Sequence, residues 1–269
     1  MSAKLKATTR YLLREQLSYL GIVYLIVLAV LIGMPLISAI FNHNLTWQLF
    51  LNSLSINVGF IFSCFIFILP MLTYDNFKLL IQNGTSRKTY WRARMLNIIS
   101  LSFIGEVIAM AYYFFVTNAI AHRSFSAGFK YEFYGQLYGN FFGAHNLAGN
   151  LLMNFIFMWL AFIMLGLCGM AVGSIFSLLT KTVRRVVIIA VPILGLFFLG
   201  FLVNWIARTS IHLNFEGLAK FLGFLVGFTG DHQVGPLNPL IATGTMLVIS
   251  VIMAGIAYYF NHKLKIKNA

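Results

Sequence analysis

Long apolar runs separated by short polar connections, most of them basic, organise this chain. A hydrocarbon core of about 30 Å, at a helical rise of about 1.5 Å per residue, needs about 20 mostly apolar residues per crossing. Six segments satisfy that length: residues 20–41, 54–72, 96–120, 151–179, 186–206 and 240–259. The pattern predicts an all-α membrane protein with six transmembrane helices, because only closed hydrogen-bonding structures such as helices can cross lipid. Segment 151–179 is the longest and is expected to tilt or to extend into the cytoplasm. A further apolar stretch, 217–228, is too short to cross and is expected as a re-entrant or interfacial outer segment before the last span.

Orientation follows from Lys and Arg, which short cytoplasmic connections retain. One side collects Lys4, Lys6, Arg10 and Arg14, then Lys78, Arg87, Lys88, Arg92 and Arg94, then Lys181, Arg184 and Arg185, and finally Lys263, Lys265 and Lys267. The other side holds only Arg123, Lys130, Arg208 and Lys220. Both termini are therefore predicted to be cytoplasmic. The basic start resembles that of a signal peptide, but the apolar run after it exceeds the usual 7–15 residues of a signal-peptide core, so it is expected to be retained. Residues 1–19 read as an amphipathic helix on the inner surface, the alternative being a basic tail.

Composition sharpens this picture. The chain is 60% hydrophobic and 9% charged, where soluble domains carry about 25% charged residues. Residues 1–269 read as one membrane domain without room for a catalytic domain in any cytoplasmic connection. A net charge of +13 would otherwise suggest nucleic acid, but the cations are divided among separate connections and form no continuous face, so no nucleic acid is expected as a partner. Cys64 and Cys168 lie in apolar runs and read as small buried apolar groups, not as a disulfide.

The most specific local signal runs from Tyr74 to Trp91. It predicts helix, break, helix: Asn83-Gly84 supplies a left-handed helix stop, and Thr85 or Ser86 caps a new helix that enters the third span. Such an elbow, residues 74–95, would project from the cytoplasmic face; the plainer reading is a positive-inside loop containing a turn. Gln82-Asn83-Gly84-Thr85-Ser86-Arg87-Lys88, followed by an aromatic pair and a span, resembles the first cytoplasmic loop of type-2 ABC transporter permeases, where a Gly-x-Ser-Arg pattern is common. The six-span layout, the N-terminal surface helix and the outer apolar insertion are similar to that family as well. The resemblance implies a permease subunit of a bacterial ABC exporter in the cell membrane, paired with a second permease subunit as homodimer or heterodimer. It further implies separate ABC ATPase subunits, which bind ATP and Mg, and a cargo that is a lipid, amphipathic peptide or hydrophobic compound. Asp75, Phe77, Lys78, Gly84, Ser86, Arg87 and Lys88 would then form the coupling element, with Phe77 as docking anchor and Arg87 and Lys88 near the ATPase or lipid phosphates.

The chain lacks a Gly-x-x-x-x-Gly-Lys-[Ser/Thr] phosphate loop, a His-Glu-x-x-His zinc pair and a Gly-x-Ser-x-Gly elbow. Its few acids form no close pair along the sequence that would suit acid–base hydrolysis, so no enzyme is expected. His43, His122, His145, His212 and His232 lie on the outer side without ligand spacing, and no metal site is expected. Glu106 is the one acid well inside a predicted span. It reads either as part of a substrate or proton path or as interhelical hydrogen-bond glue to Asn or Ser. Gly169 and Gly173 make a Gly-x-x-x-Gly pair that permits close helix crossing, within the subunit or between subunits. The aromatics between Phe125 and Phe142 are expected to anchor the outer loop at the membrane interface. Two other functional classes fit the spans: an ATPase-independent bacteriocin-immunity or sensor-associated protein, and a passive channel, the latter disfavoured by the lack of a charged stripe within the spans.

Overall fold

The computed structural model describes residues 2–42, 47–72, 74–139, 141–143, 145–180, 216–228 and 237–264, with isolated residues between 183 and 201. Regular structure among them is helical, apart from one isolated bridge between Phe228 and Leu237. The helices are α1 (Ala3–Asn42), α2 (Trp47–Leu54), α3 (Val58–Met71), α4 (Tyr74–Gln82), α5 (Arg87–Tyr112), α6 (Asn118–Ile120), α7 (Phe125–Tyr131), α8 (Phe133–Tyr138), α9 (Leu147–Phe176), α10 (Glu216–Val226) and α11 (Pro239–Lys263). A π-helical turn, Tyr113–Thr117, joins α5 to α6 without a break.

Four of these rods are long and apolar enough to cross a membrane: α1, α5 continued to Ile120, α9 and α11. The pair Val58–Met71 and Asn76–Gln82, bent by 45°, counts as a fifth if taken as one span. The chain is an all-helical, multi-pass membrane protein. Its rods present Leu25, Ile26, Met34, Val248 and Val251 outward, as lipid-facing helices do. The predicted span 186–206 lies outside the described residues apart from a few isolated positions.

Two expectations change. The separate surface helix of residues 1–19 is instead the first half of one uninterrupted 40-residue helix. Neither glycine nor proline interrupts residues 3–20, and Leu12 and Leu20 are buried. The same stretch is tied down by polar pairs: Asn97 Nδ2 donates to Gln16 Oε1 at 2.6 Å, and Asn76 Nδ2 to Glu15 Oε2 at 2.7 Å. The second span begins at Val58 and not Leu54, because the Asn57 side chain accepts the Phe60 N–H and starts a new helix. Residue 54 ends the preceding α2, which hangs on α1 through Ser53 Oγ donating to the Leu31 carbonyl at 2.9 Å.

Lipid tails are as apolar as leucine, so packing and interhelical hydrogen bonds hold such rods together. In the middle layer Leu20, Phe62, Phe65, Ile66, Leu101 and Phe162 interlock, Phe62 meeting Phe162 edge-to-face at 4.8 Å. A neighbouring layer joins Ile98, Leu167, Met170 and Ala257. At one end of the bundle, Phe77, Tyr90 and Leu264 bring α4, α5 and the residue after α11 together, with Leu178 packed alongside. At the other end Phe114, Phe129, Tyr134, Tyr138, Met153, Phe157 and Ala242 form a core between the short helices α7 and α8 and the long rods. Residues 122–150 are thus less an interfacial loop than a folded cap, although Tyr131, Phe133 and Phe142 remain exposed.

Candidate functional site

Two places combine unusual geometry with polar chemistry, one at each end of the bundle. The first is the elbow between α4 and α5. Gly84 adopts φ +71°, the Gly84 N–H donates to the Ile81 carbonyl at 3.0 Å, and the Thr85 N–H donates to the Leu80 carbonyl at 3.0 Å. This is the glycine-terminated helix stop that Asn83-Gly84 encodes. Of the two capping candidates Ser86 serves: its hydroxyl accepts the Thr89 N–H at 3.1 Å and opens α5.

The elbow is held from two sides. The Lys4 ammonium donates to the Gly84 carbonyl, linking the start of α1 to the turn. Arg87 Nη1 donates to the His262 carbonyl at 2.6 Å, and Asn261 Nδ2 donates to the Arg87 carbonyl at 3.3 Å, linking the end of α11 to the start of α5. The start of α1, the elbow and the end of α11 therefore share one end of the protein. Beneath it Arg94, buried within α5, donates to the Pro70 carbonyl at 2.5 Å and lies over the Tyr90 ring at 5.6 Å. It braces the last turn of α3, where a cation suits the carbonyl end of a helix. Arg94 counted in the sequence only as one more loop cation; its burial comes from lying about two turns inside α5.

These contacts divide the proposed coupling residues. Ser86, Arg87 and Lys88 are exposed, as is Gly84; Lys78 is half-buried, and Asp75 lies in the first turn of α4. Phe77 is 1% exposed and meets Tyr90 edge-to-face at 5.4 Å under Leu264. It faces the protein interior and is no exposed docking anchor. Leu264, 187 positions away in the chain, packs over it.

Gly169 and Gly173 sit where α9 crosses α3. A Cβ on Gly169 would overlap the Phe67 carbonyl, and one on Gly173 would lie 2.6 Å from both Cα and O of Met71. The pair therefore serves backbone contact within this subunit.

The second place is a cavity of about 290 Å³ at the opposite end, between the start of α3, the outer half of α5, the start of α8 and α9. Its rim carries exposed Asn57, Phe60, Tyr131 and Phe133, whereas Glu106, 3% exposed, and Asn154, 1% exposed, lie in its buried part. Glu132 joins them. It sits in the extended residue between α7 and α8, where its Oε2 accepts the Tyr134 N–H at 2.8 Å and caps α8. Burial pushes the Glu132 carboxyl above the ordinary carboxylate range; backbone N–H groups of Tyr134, Gly135 and Phe133 and the side chain of Asn154 oppose that rise. Glu132 acts electrostatically on Glu106. Two acids, 26 positions apart, thus share one cavity that no spacing in the sequence announces. Among the described residues Glu106 makes no hydrogen bond to an Asn or Ser of another helix, so the glue reading lacks its partner. Cys64, expected to be buried, is exposed on α3 beside the lipid-facing residues Phe60 and Ile68.

Comparison of the chain with protein-family models, with curated proteins and with solved structures returns no match.

Proposed function

We propose that the chain is the membrane-spanning subunit of an ABC exporter in a bacterial cytoplasmic membrane, working with separate ATPase subunits and a second permease subunit. The observation that carries this reading is the elbow: a rigid glycine stop and serine-capped helix start, set among exposed cations, at the end where α1 and α11 also converge. A partner pressing there would move four helices at once. In this reading that end faces the cytoplasm, where the basic residues place it. α9 leaves toward the elbow end, while α10 lies at the opposite end, where Tyr138 Oη donates to the Val226 carbonyl at 3.0 Å. A return crossing between them, for which residues 186–206 have the composition, gives six spans with both termini inside. The α10 segment exposes Leu218, Phe221, Leu222 and Phe224, which suits an interfacial or re-entrant place beside the outer leaflet. Nucleotide-driven closure of the ATPases would rock packed helices between inner and outer access.

The test combines topology and coupling. In a background without Cys64 and Cys168, a cysteine at position 84 should react with an impermeant maleimide in inverted vesicles and not in intact cells. A P-loop ATPase should co-purify, and substituting Lys88 by Glu should alter its hydrolysis rate in the complex. Labelling of residue 84 from outside, or a chain that is active without any ATPase, ends this reading and leaves the immunity or sensor-associated protein in its place.

A further inference from the structure

We infer that the outer cavity is a receptor site for a cationic head group, an ammonium bearing N–H donors on an apolar body. This rests on the transport reading and gives the cargo a charge class. The chain has only 6 acidic residues against 19 Lys and Arg, yet two of the six meet in this one cavity. Placing carboxylates in a membrane protein away from bulk water is costly unless a cation or donor meets them. Glu132 is met in part by the backbone N–H groups that open α8, but among the described residues no salt bridge reaches either carboxyl and no hydrogen-bond donor reaches Glu106. Arg123, the nearby cation, is committed elsewhere: its guanidinium lies 3.8 Å over the Tyr131 ring and interacts with the Tyr113 hydroxyl.

A second, independent observation points the same way. Asn154 is almost wholly buried, lines the cavity and leaves its Oδ1 without a partner. Its side chain interacts with Glu132, an acceptor, which suits the amide N–H₂, and the carbonyl oxygen is the free end. Two carboxyls in their ionised form and an amide oxygen make an all-acceptor set, complementary to an ammonium with three N–H donors and to no anion. The walls agree, for Phe60 and Phe133 place aromatic surface at the mouth, where rings attract cations and receive an apolar body. The volume, just below the usual range of ligand pockets, admits a head group and a short apolar stem, with the rest of an amphiphile left at the membrane surface.

The test uses the purified full chain in nanodiscs without any ATPase, so that its outcome is separate from that of the coupling experiment. Hexylammonium, hexanol and hexanoate are compared as probes by thermal shift and by intrinsic fluorescence titration. Hexylammonium alone should raise the unfolding temperature, and Glu106→Gln and Glu132→Gln should each weaken its binding at least tenfold while keeping a cooperative unfolding transition. Should either variant fail to fold, Asn154→Leu in the wild-type background is read instead and should weaken hexylammonium binding severalfold. Equal shifts by hexanol, or binding unchanged in the variants, overturn the assignment. A chain that binds hexylammonium although no ATPase co-purifies with it from cells would sink the exporter and leave the receptor site standing; an assembled exporter blind to hexylammonium would do the reverse.

Discussion

Replacing Gly173 by alanine puts one methyl group where α9 and α3 touch backbone to backbone. The new Cβ would stand 2.6 Å from both Cα and O of Met71 and 2.9 Å from its carbonyl carbon. Carbon atoms settle at about 3.5–4.0 Å, so the helices must part by about 1 Å along a contact that includes Gly169 one turn away. The obstacle is backbone and cannot rotate aside, which places the overpacking cost toward the upper part of about 1–3 kcal/mol. Alanine is the better helix former by about 1 kcal/mol, which offsets part of this. A net loss of about 1–2 kcal/mol remains, a factor of about 5–30 in the folding equilibrium. The internal controls are Gly244 and Gly255 in α11, where an added Cβ meets nothing within 4 Å. There the same substitution should be neutral or stabilising by up to about 1 kcal/mol. Reversible unfolding in mixed micelles, followed by tryptophan fluorescence, reads all three variants. If Gly173→Ala proves as stable as Gly255→Ala, the close crossing is refuted; unaltered unfolding with a changed oligomeric state would move the glycine pair to a subunit interface.

Four further outcomes follow from local geometry. Gly84→Ala should lose about 1–2 kcal/mol, from the left-handed backbone alone, since the nearest atom to an added Cβ is Lys4 Nζ at 3.7 Å; Ser86→Ala should lose about 1 kcal/mol with the α5 cap, and thermal unfolding measures both. Gln16→Leu removes the buried partner of Asn97 Nδ2 and should loosen α1 from α5 by about 0.6–2 kcal/mol, seen as faster hydrogen exchange confined to α1. For Glu132 the folded carboxyl titrates above its unfolded value, so the native state holds the proton more tightly. Stability therefore falls as pH rises from the unfolded value through the folded one, and its loss is complete above the latter. Glu132→Gln should abolish that slope and raise the unfolding temperature at neutral pH, and an unchanged pH profile would contradict the burial of this carboxyl.

What the sequence made legible is what depends on near neighbours. The runs that become α9 and α11 announce themselves by length and apolarity, because a helix in lipid must satisfy its own backbone. The stop at Asn83-Gly84 and the serine cap are equally local, each a matter of four or five residues. Pattern fails where distant segments meet. Phe77 looks like any aromatic on an amphipathic cytoplasmic helix until Leu264 covers it. Glu132 reads as a loop acid, and only the packing of the α7–α8 cap onto α5 and α9 brings it to the cavity of Glu106. The beginning of α3 escapes the pattern for a different reason: residues 54 to 57 alternate between apolar and polar within an otherwise apolar run, and a single asparagine side chain decides the boundary.

If the elbow couples to an ATPase as proposed, the burial of Phe77 leaves its exposed polar rim and its backbone as the route, and the two clamps determine where force goes. Lys4 joins the turn to α1, and Arg87 joins the first turn of α5 to the end of α11. A push on Gly84 therefore cannot tilt α3 and α5 alone: it either drags α1 and α11 or breaks these bonds. The bonds are exposed and charge-assisted, so each is weak enough to break on the scale of nucleotide-driven movement. Lys4→Ala separates the two cases. If α1 moves with the elbow, the variant should retain ATPase binding and lose a substantial part of transport per ATP hydrolysed. If the clamp must open for movement, the variant should instead hydrolyse ATP faster at equal coupling. Identical hydrolysis and transport in the wild type and the variant would show that α1 takes no part in the stroke.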